Sequence, residues 1–207
     1  MTKDLTVGSP LRLILGFGLP TLLGMLFQQF YNLMDTMIVG KLLGAQALAA
    51  VGSTSSINFF VIGFCMGVCN GFAIPVAQRM GAGDLGKMRR YVANAAYLSL
   101  LLAAVLTVGT GVLCRAILTA MNTPADIFDN AYVYIFIIFM GIPATFLYNL
   151  LAGVIRALGD SRTPVYFLAL SSVLNIGLDI TLILWAQAGV AGAAIATVVS
   201  QGISGVA

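Results

Sequence analysis

The amino-acid sequence predicts an all-α, polytopic membrane protein. Of its 207 residues, 60% are hydrophobic and only 8% are charged, against roughly 25% charged in a soluble domain. Mean hydropathy is +1.02. The apolar residues fall into six runs, several reaching the roughly 20 residues that a membrane helix needs. An outer-membrane barrel would show short alternating segments instead.

The first run, Leu11 to Val39, is read as a span and not as a secretory signal. It continues through Pro20 for almost thirty residues, and no small-residue cleavage site ends it. Pro20 has helical pattern on both sides, so a kink is expected there. Gln28, Tyr31 or Asn32, and Asp35 recur at spacings of three and four, which places them on one face. The second run, Leu48 to Ala77, carries Pro75 near its end, where a proline could simply terminate the helix. Cys65 and Cys69 lie one helical turn apart in it. With Cys114, just beyond the third run (Tyr91 to Leu113), they read as small apolar packing residues.

The fourth run is Ala131 to Ile155 and the fifth Val165 to Trp185. Thr123-Pro124 and Thr163-Pro164 each set a capping hydroxyl before a proline, a helix-start signal. Asp126 then falls in the first turn of the fourth helix, where a negative charge suits the dipole. Pro143 predicts a kink inside the fourth span. In the fifth, Ser171, Asn175 and Asp179 recur every four residues and form a polar stripe on an apolar helix. The sixth run starts at Val190 and carries Thr197, Ser200, Gln201 and Ser204. It stops at Ala207 with no cation or aromatic anchor after it, so the last helix is expected to be truncated.

Charge placement constrains both topology and chemistry. All seven acidic residues are aspartates and there is no histidine. That removes most metal sites, histidine-based triads and Glu-based acid/base pairs, so an enzyme is not expected. Nor is a nucleic-acid partner. Lys3, Arg12, Arg79, Lys87, Arg89, Arg90, Arg156 and Arg162 fall on one side if all six segments span. Lys41 and Arg115 fall on the other. The excess of cations marks the cytoplasmic face and puts the N-terminus there. Arg79-Met80-Gly81-Ala82-Gly83-Asp84 and Arg156-Ala157-Leu158-Gly159-Asp160 form a weak repeat of Gly-Asp turns on that face.

Only Asp35 and Asp179 lie well inside apolar spans. Asp35 sits about 6 Å, and Asp179 about 9 Å, from the outer ends of two helices that run in the same direction. They should therefore share a depth. An ionised carboxylate there needs water, a partner or a cation. Asp35 could pair with Lys41 or reach headgroup water, and the span 6 hydroxyls could serve packing alone. The alternative is one polar site built from three helices.

These residues resemble the multidrug and toxic compound extrusion (MATE) transporters. Gly18-Leu19-Pro20 followed by Tyr31-Asn32-Leu33-Met34-Asp35-Thr36 is similar to the family's first helix, and Ala49-Ala50-Val51-Gly52 to its second. Gly159-Asp160-Ser161-Arg162-Thr163-Pro164 resembles its 4–5 loop. Asn175 and Asp179 match its fifth-helix motif. The resemblance implies a twelve-helix antiporter of two six-helix lobes that exports small, often cationic, drug-like compounds in exchange for H⁺ or Na⁺. Residues 1–207 would be the N-terminal lobe, in the inner membrane, with the C-terminal lobe absent. It ties Asp35, Asn175, Asp179 and Thr197 to cation coupling, including a Na⁺ site. It places Pro20 and Gln28, with Tyr31 and Asn32, at the substrate cavity and its gating. No cofactor is implied beyond the coupling ion.

Other readings stay in view. A lipid-linked oligosaccharide flippase of the same broad superfamily would want cations in its cavity, and no Arg or Lys lies well inside the spans apart from end positions. A membrane enzyme lacks its acid and base. A pure assembly subunit has no need of two intramembrane carboxylates.

Overall fold

A computed structural model describes residues 9–207, without the side chains of Pro10, Arg12 and Tyr31. Lys3, counted above for orientation, lies outside the described residues. The described chain is helical throughout: α1 (Pro10–Gly81), α2 (Leu85–Ala120), α3 (Phe128–Met140), α4 (Ile142–Ala157), α5 (Thr163–Ile180) and α6 (Gly189–Val206), with a π-helical turn at Thr181–Trp185 after α5.

The apolar part of α1, Leu13–Gly81, has 69 residues. At 1.5 Å per residue it would run about 100 Å, over three times the hydrocarbon thickness. It fits a bilayer because it breaks at Gly44, whose φ of 84° and ψ of −177° are the only non-helical pair inside it. Glycine reaches that conformation without a Cβ clash. Across the break, Leu48 closes on Gly40, where a Cβ would lie 3.3 Å from Leu48 Cδ2. Residues 17–28 and 66–77 line one cavity, so the arms 10–43 and 45–81 run antiparallel and correspond to the first two expected spans. α2 is the third, α5 with its π turn the fifth, and α6 the sixth.

The fourth span is α3 and α4 together, bent by 46° at Gly141. Pro143, near the start of α4, lacks an N–H and cannot continue the α3 ladder, so the kink expected there is present. The one expected at Pro20 takes no such form: helical dihedrals run through both Pro20 and Pro75. Pro75 does not end its helix, which continues to Gly81. Neighbouring helices hold the backbone in register where an isolated helix would break.

Both turns of the sequence repeat use one device. Gly83 (φ 72°) and Gly159 (φ 89°) adopt the left-handed conformation, and the next residue caps the following helix. Asp84 Oδ1 accepts from Lys87 N–H at 3.0 Å, and its Oδ2 lies 3.2 Å from Lys87 Nζ. Asp160 Oδ1 accepts from the Thr163 and Arg162 N–H groups, at 3.1 and 3.0 Å, and its Oδ2 from Thr163 Oγ1 at 2.7 Å. Thr163 is therefore not the cap but part of what is capped. The Thr163 bonds, joined by that from Arg162, hold the Asp160 carboxyl down at about 2, against an ordinary 3.8. Its stabilising share is complete above the ordinary value and is lost only as pH falls through about 2. The helix of the fourth span starts later than the Thr123-Pro124 signal suggested, though a turn before the apolar run at Ala131. α3 begins at Phe128 with Asp129, not Asp126, in its first turn. The Asp126 backbone instead accepts from Gln46 Nε2 at 2.8 Å, which ties the 121–127 loop to the Gly44 turn at the end opposite Gly83 and Gly159.

Arg79 lies over the Tyr91 ring, and Arg115 over Tyr132, at 5.9 and 5.0 Å from the ring centroids. Such Arg–Tyr pairs at span ends suit a membrane interface. The three cysteines are buried and free, as packing residues should be, with Cys69 Sγ donating to the Phe146 carbonyl at 3.8 Å. Phe59, Tyr97, Val112 and many other large apolar side chains point outward, as a lipid-facing surface requires.

The orientation expected from the cation distribution can be tested directly. Cysteines placed at the exposed positions Ala82 and Arg162 should react with an impermeant maleimide in inside-out vesicles and not in intact cells. Labelling of both from outside would reverse the orientation.

Candidate intramembrane carboxyl site

The first arm of α1 packs along α5. A Cβ at Gly24 would stand 3.1 Å from Val165 Cγ2, and further along the same two helices the Asp35 and Asp179 carboxyl groups lie side by side, close enough to interact. From these contacts the helices advance about 16 and 21 Å in the same direction. The expected parallel course and shared depth are therefore what the fold contains.

Asp179 and Asn175 are both 0% exposed. Asn175, one turn before Asp179, meets both its partners when its Nδ2 donates to Asp179 Oδ2 at 3.0 Å and its Oδ1 accepts from Thr197 N–H at 3.1 Å. The opposite amide orientation sets Nδ2 3.3 Å from Thr197 Oγ1 and turns the oxygen to Asp179. Thr197 Oγ1 otherwise donates to the Ala193 carbonyl at 3.1 Å. Asp35, Asn175, Asp179 and Thr197, from α1, α5 and α6, thus form one cluster. Asn175 presents a donor to Asp179 in its satisfied orientation, where the sequence suggested an oxygen for a cation. A carboxyl oxygen next to it is the acceptor that an amide N–H needs.

Within this cluster two buried oxygens have no partner among the described residues: Asp35 Oδ1 and Asp179 Oδ1. Two carboxyl groups in contact cannot both stay ionised without a proton or cation between them. The cluster can therefore hold a single positive charge. Among the described residues no group of three or more His, Cys, Asp or Glu side chains forms a metal site. The carboxyl pair with neutral Asn and Thr oxygens suits only a proton or a hard cation. Beside it, the π turn Thr181–Trp185 follows the end of α5, starting two residues after Asp179. Thr181 Oγ1 bonds the Gly177 carbonyl at 2.9 Å. Such turns often mark functional sites, and the sequence pattern gives no sign of this one.

The remaining candidates divide. Gln28 lines a cavity of about 470 Å³, together with residues of 66–77, of the second half of α4 and of the start of α5. Pro20 and Asn32 do not line it. Asn32 Nδ2 donates to Gln29 Oε1 at 3.3 Å on an exposed face, and the Tyr31 side chain lies outside the described residues. On α6, Gln201 Oε1 accepts from Thr145 Oγ1 at 2.9 Å, and Ser200 donates to the Thr197 carbonyl at 3.0 Å. The first joins α6 to α4, and the second lies within α6. Asp35 lies seven residues beyond Gln28, about 10 Å along α1, so the cavity opens on the Gly83/Gly159 side of the carboxyl pair.

Sequence reasoning missed part of the cavity wall. Asn70, Tyr148, Asn149 and Arg156 all line it. The sequence counts Arg156 only among the cations of the cytoplasmic face, but the last turn of α4 turns its guanidinium onto the cavity, 3.3 Å from Asn70 Oδ1. A cation is therefore present in the cavity wall. Asn70, an amide inside an apolar span, is the signal that could point there.

Comparison with known proteins places this geometry. The MatE family matches residues 20–181. The probable multidrug resistance protein YpnP of Bacillus subtilis is 36% identical over 205 residues, covering 97% of this chain and 45% of that protein. A FAD transporter of Shewanella oneidensis is 25% identical over 193 residues, covering 91% of this chain and 42% of that protein. A solved MOP-superfamily transporter from Pyrococcus furiosus, described as having a binding pocket of reversed polarity, superposes at a TM-score of 0.89 with 29% identity over 96% of this chain and 44% of that one. The chain thus spans a little under half the length of the relatives it matches. Six apolar spans, an intramembrane carboxyl pair and a family match over most of the sequence agree: the chain belongs to the MatE family and is a multi-pass membrane protein.

Proposed function

We propose that residues 1–207 form the N-terminal six-helix lobe of a two-lobe secondary antiporter in the inner membrane. It exports small drug-like organic compounds in exchange for H⁺ or Na⁺. One observation carries this reading: two membrane-embedded carboxyl groups in contact, each with a buried oxygen that has no partner. Such a pair is costly in hydrocarbon and finds its use in binding a cation reversibly.

A proton on the pair satisfies the contact directly, with Asn175 donating to the remaining charge. A Na⁺ ion would use the two free Oδ1 atoms and Thr197, and would draw the Asn175 oxygen toward itself by turning its amide over. Either way, neutralising the pair changes how α1 and α5 hold together. The first arm of α1 then links the pair to the cavity through Gln28, with Pro20 as the place where that arm can bend. Access alternates as this lobe rocks on its partner lobe. Relatives bear names as different as multidrug resistance protein and FAD transporter, so the family alone does not fix the cargo. A flippase for lipid-linked oligosaccharides is less well supported, because one guanidinium in a cavity of about 470 Å³ is small provision for a pyrophosphate and a sugar chain.

The test uses proteoliposomes with the chain alone and with the chain joined to a second half of the kind its relatives carry. The chain alone should insert and export nothing. The joined protein should expel a fluorescent dye when a pH or a Na⁺ gradient is imposed, and stop when the gradient is collapsed. Export by the chain alone would refute the lobe assignment. Export indifferent to both gradients would refute antiport.

A further inference from the structure

We propose that the cavity between α1, α4 and α5 binds the oxyanion head of an amphiphile, a carboxylate or phosphate on an apolar body, with Arg156 as its anchor and Asn70 orienting the guanidinium.

Four observations lead there. First, Arg156 is the one cation on the cavity wall, and among the described residues no carboxylate lines the cavity. Second, its hydrogen-bond partner among the described residues is the Asn70 oxygen, at 3.3 Å. That uses one of five N–H donors and supplies no counter-charge. Third, the nearest acidic side chain in sequence is occupied: Asp160 accepts the Arg162 and Thr163 N–H groups and the Thr163 hydroxyl. Fourth, the rest of the wall is uncharged, with apolar groups such as Phe17, Met66, Ile74 and Leu168 beside the neutral polar Thr21, Gln28 and Asn149.

The Arg156 guanidinium is half-buried, and no carboxylate stands beside it on that wall to offset its charge. A planar carboxylate or phosphate meets its fork with two parallel, charge-assisted bonds. The cavity's volume falls in the range of drug-sized sites, and methionine side chains adapt to varied apolar bodies. Free amphiphiles and membrane phospholipids share the head chemistry recognised here. The inference deepens the transporter reading by naming a class of cargo, and it rests on that reading only for the direction of movement.

The experiment needs no gradient. The chain is placed in nanodiscs of pure phosphatidylcholine and titrated with dansyl-undecanoic acid and, separately, with its methyl ester. The acid should bind at least about 10-fold more tightly than the ester, as a charge-assisted contact implies. Arg156→Gln should bring the two to equal affinity, Arg156→Lys should keep a reduced preference for the acid, and Asn70→Ala should weaken acid binding alone. Competition by phosphatidylglycerol added to the discs, seen in the wild type and lost in Arg156→Gln, identifies a lipid head as occupant. Acid binding unaffected by it identifies a free amphiphile. Equal binding of acid and ester by the wild type overturns the proposal, and so does an acid preference that survives Arg156→Gln. Should Arg156→Gln not fold, the wild-type comparison and the Lys variant still decide. The acid-over-ester preference is read at equilibrium with no ion gradient, so failure of the coupling reading and failure of this one give different results.

Discussion

Asp179→Asn in the joined transporter is expected to reduce gradient-driven efflux to the level of empty vesicles, with insertion and yield unchanged. Asn keeps the volume and can still bond Asn175, but it can neither hold nor release a proton and offers no charge to Na⁺. Asp35 then stands alone, without the partner whose contact makes cation binding compulsory. A purely structural carboxyl pair predicts the reverse. Removing one of two mutually repelling buried acids would leave transport normal and raise thermal stability, since replacing buried charge is often neutral or stabilising. Efflux and melting temperature measured on the same preparation separate these outcomes. Asn175→Ala adds a second discrimination. A proton needs only the carboxyl pair, so H⁺-driven efflux should persist in part, whereas a Na⁺ site loses a ligand and Na⁺-driven efflux should fail. Wild-type gradient response in Asp179→Asn would remove the basis of the coupling assignment.

Gly141→Ala should be the most damaging single-methyl change in the helix packing. Gly141 sits where the fourth span bends and where α6 crosses it. An added Cβ would lie 2.3 Å from Val198 Cγ2, 2.9 Å from Val198 Cγ1 and 3.1 Å from the Ile138 carbonyl. Valine has essentially one comfortable rotamer in a helix and cannot swing away, so α6 must move. Overpacking of this kind costs about 1–3 kcal/mol. It should appear as a clear fall in melting temperature in detergent, with efflux impaired because Thr197 shares α6 with Val198. Adding Val198→Ala should restore most of the stability, as the clashing methyls are then gone. A melt unchanged by Gly141→Ala would show that α6 is not held at this contact.

Much of the architecture was legible because the bilayer enforces it. A span must be apolar and about 20 residues long, so the six runs could be read from hydropathy, and the Gly-Asp turns from residues with distinctive backbone chemistry. The pairing of Asp35 with Asp179 was legible for a related reason. Charge inside hydrocarbon is so unfavourable that each needs water, a partner or a cation, and the sequence places the two at one depth on parallel helices. What the sequence could not settle depends on balances between neighbours. Pro20 and Pro75 carry the same local signal as Pro143, yet only the span with Pro143 is bent, at Gly141, because packing decides whether a missing N–H opens a helix. Thr123-Pro124 looked like a helix start, but the loop there is held to Gln46, eighty residues away. The direction in which the Asn175 amide points follows from Thr197 on another helix. Arg156 reads as a loop-side charge until α4 turns it against Asn70. The sequence by itself determined which residues must leave water and which of them would be intolerable alone. Only the tertiary structure decided which partner each one found, because that depends on how helices far apart in the chain pack together.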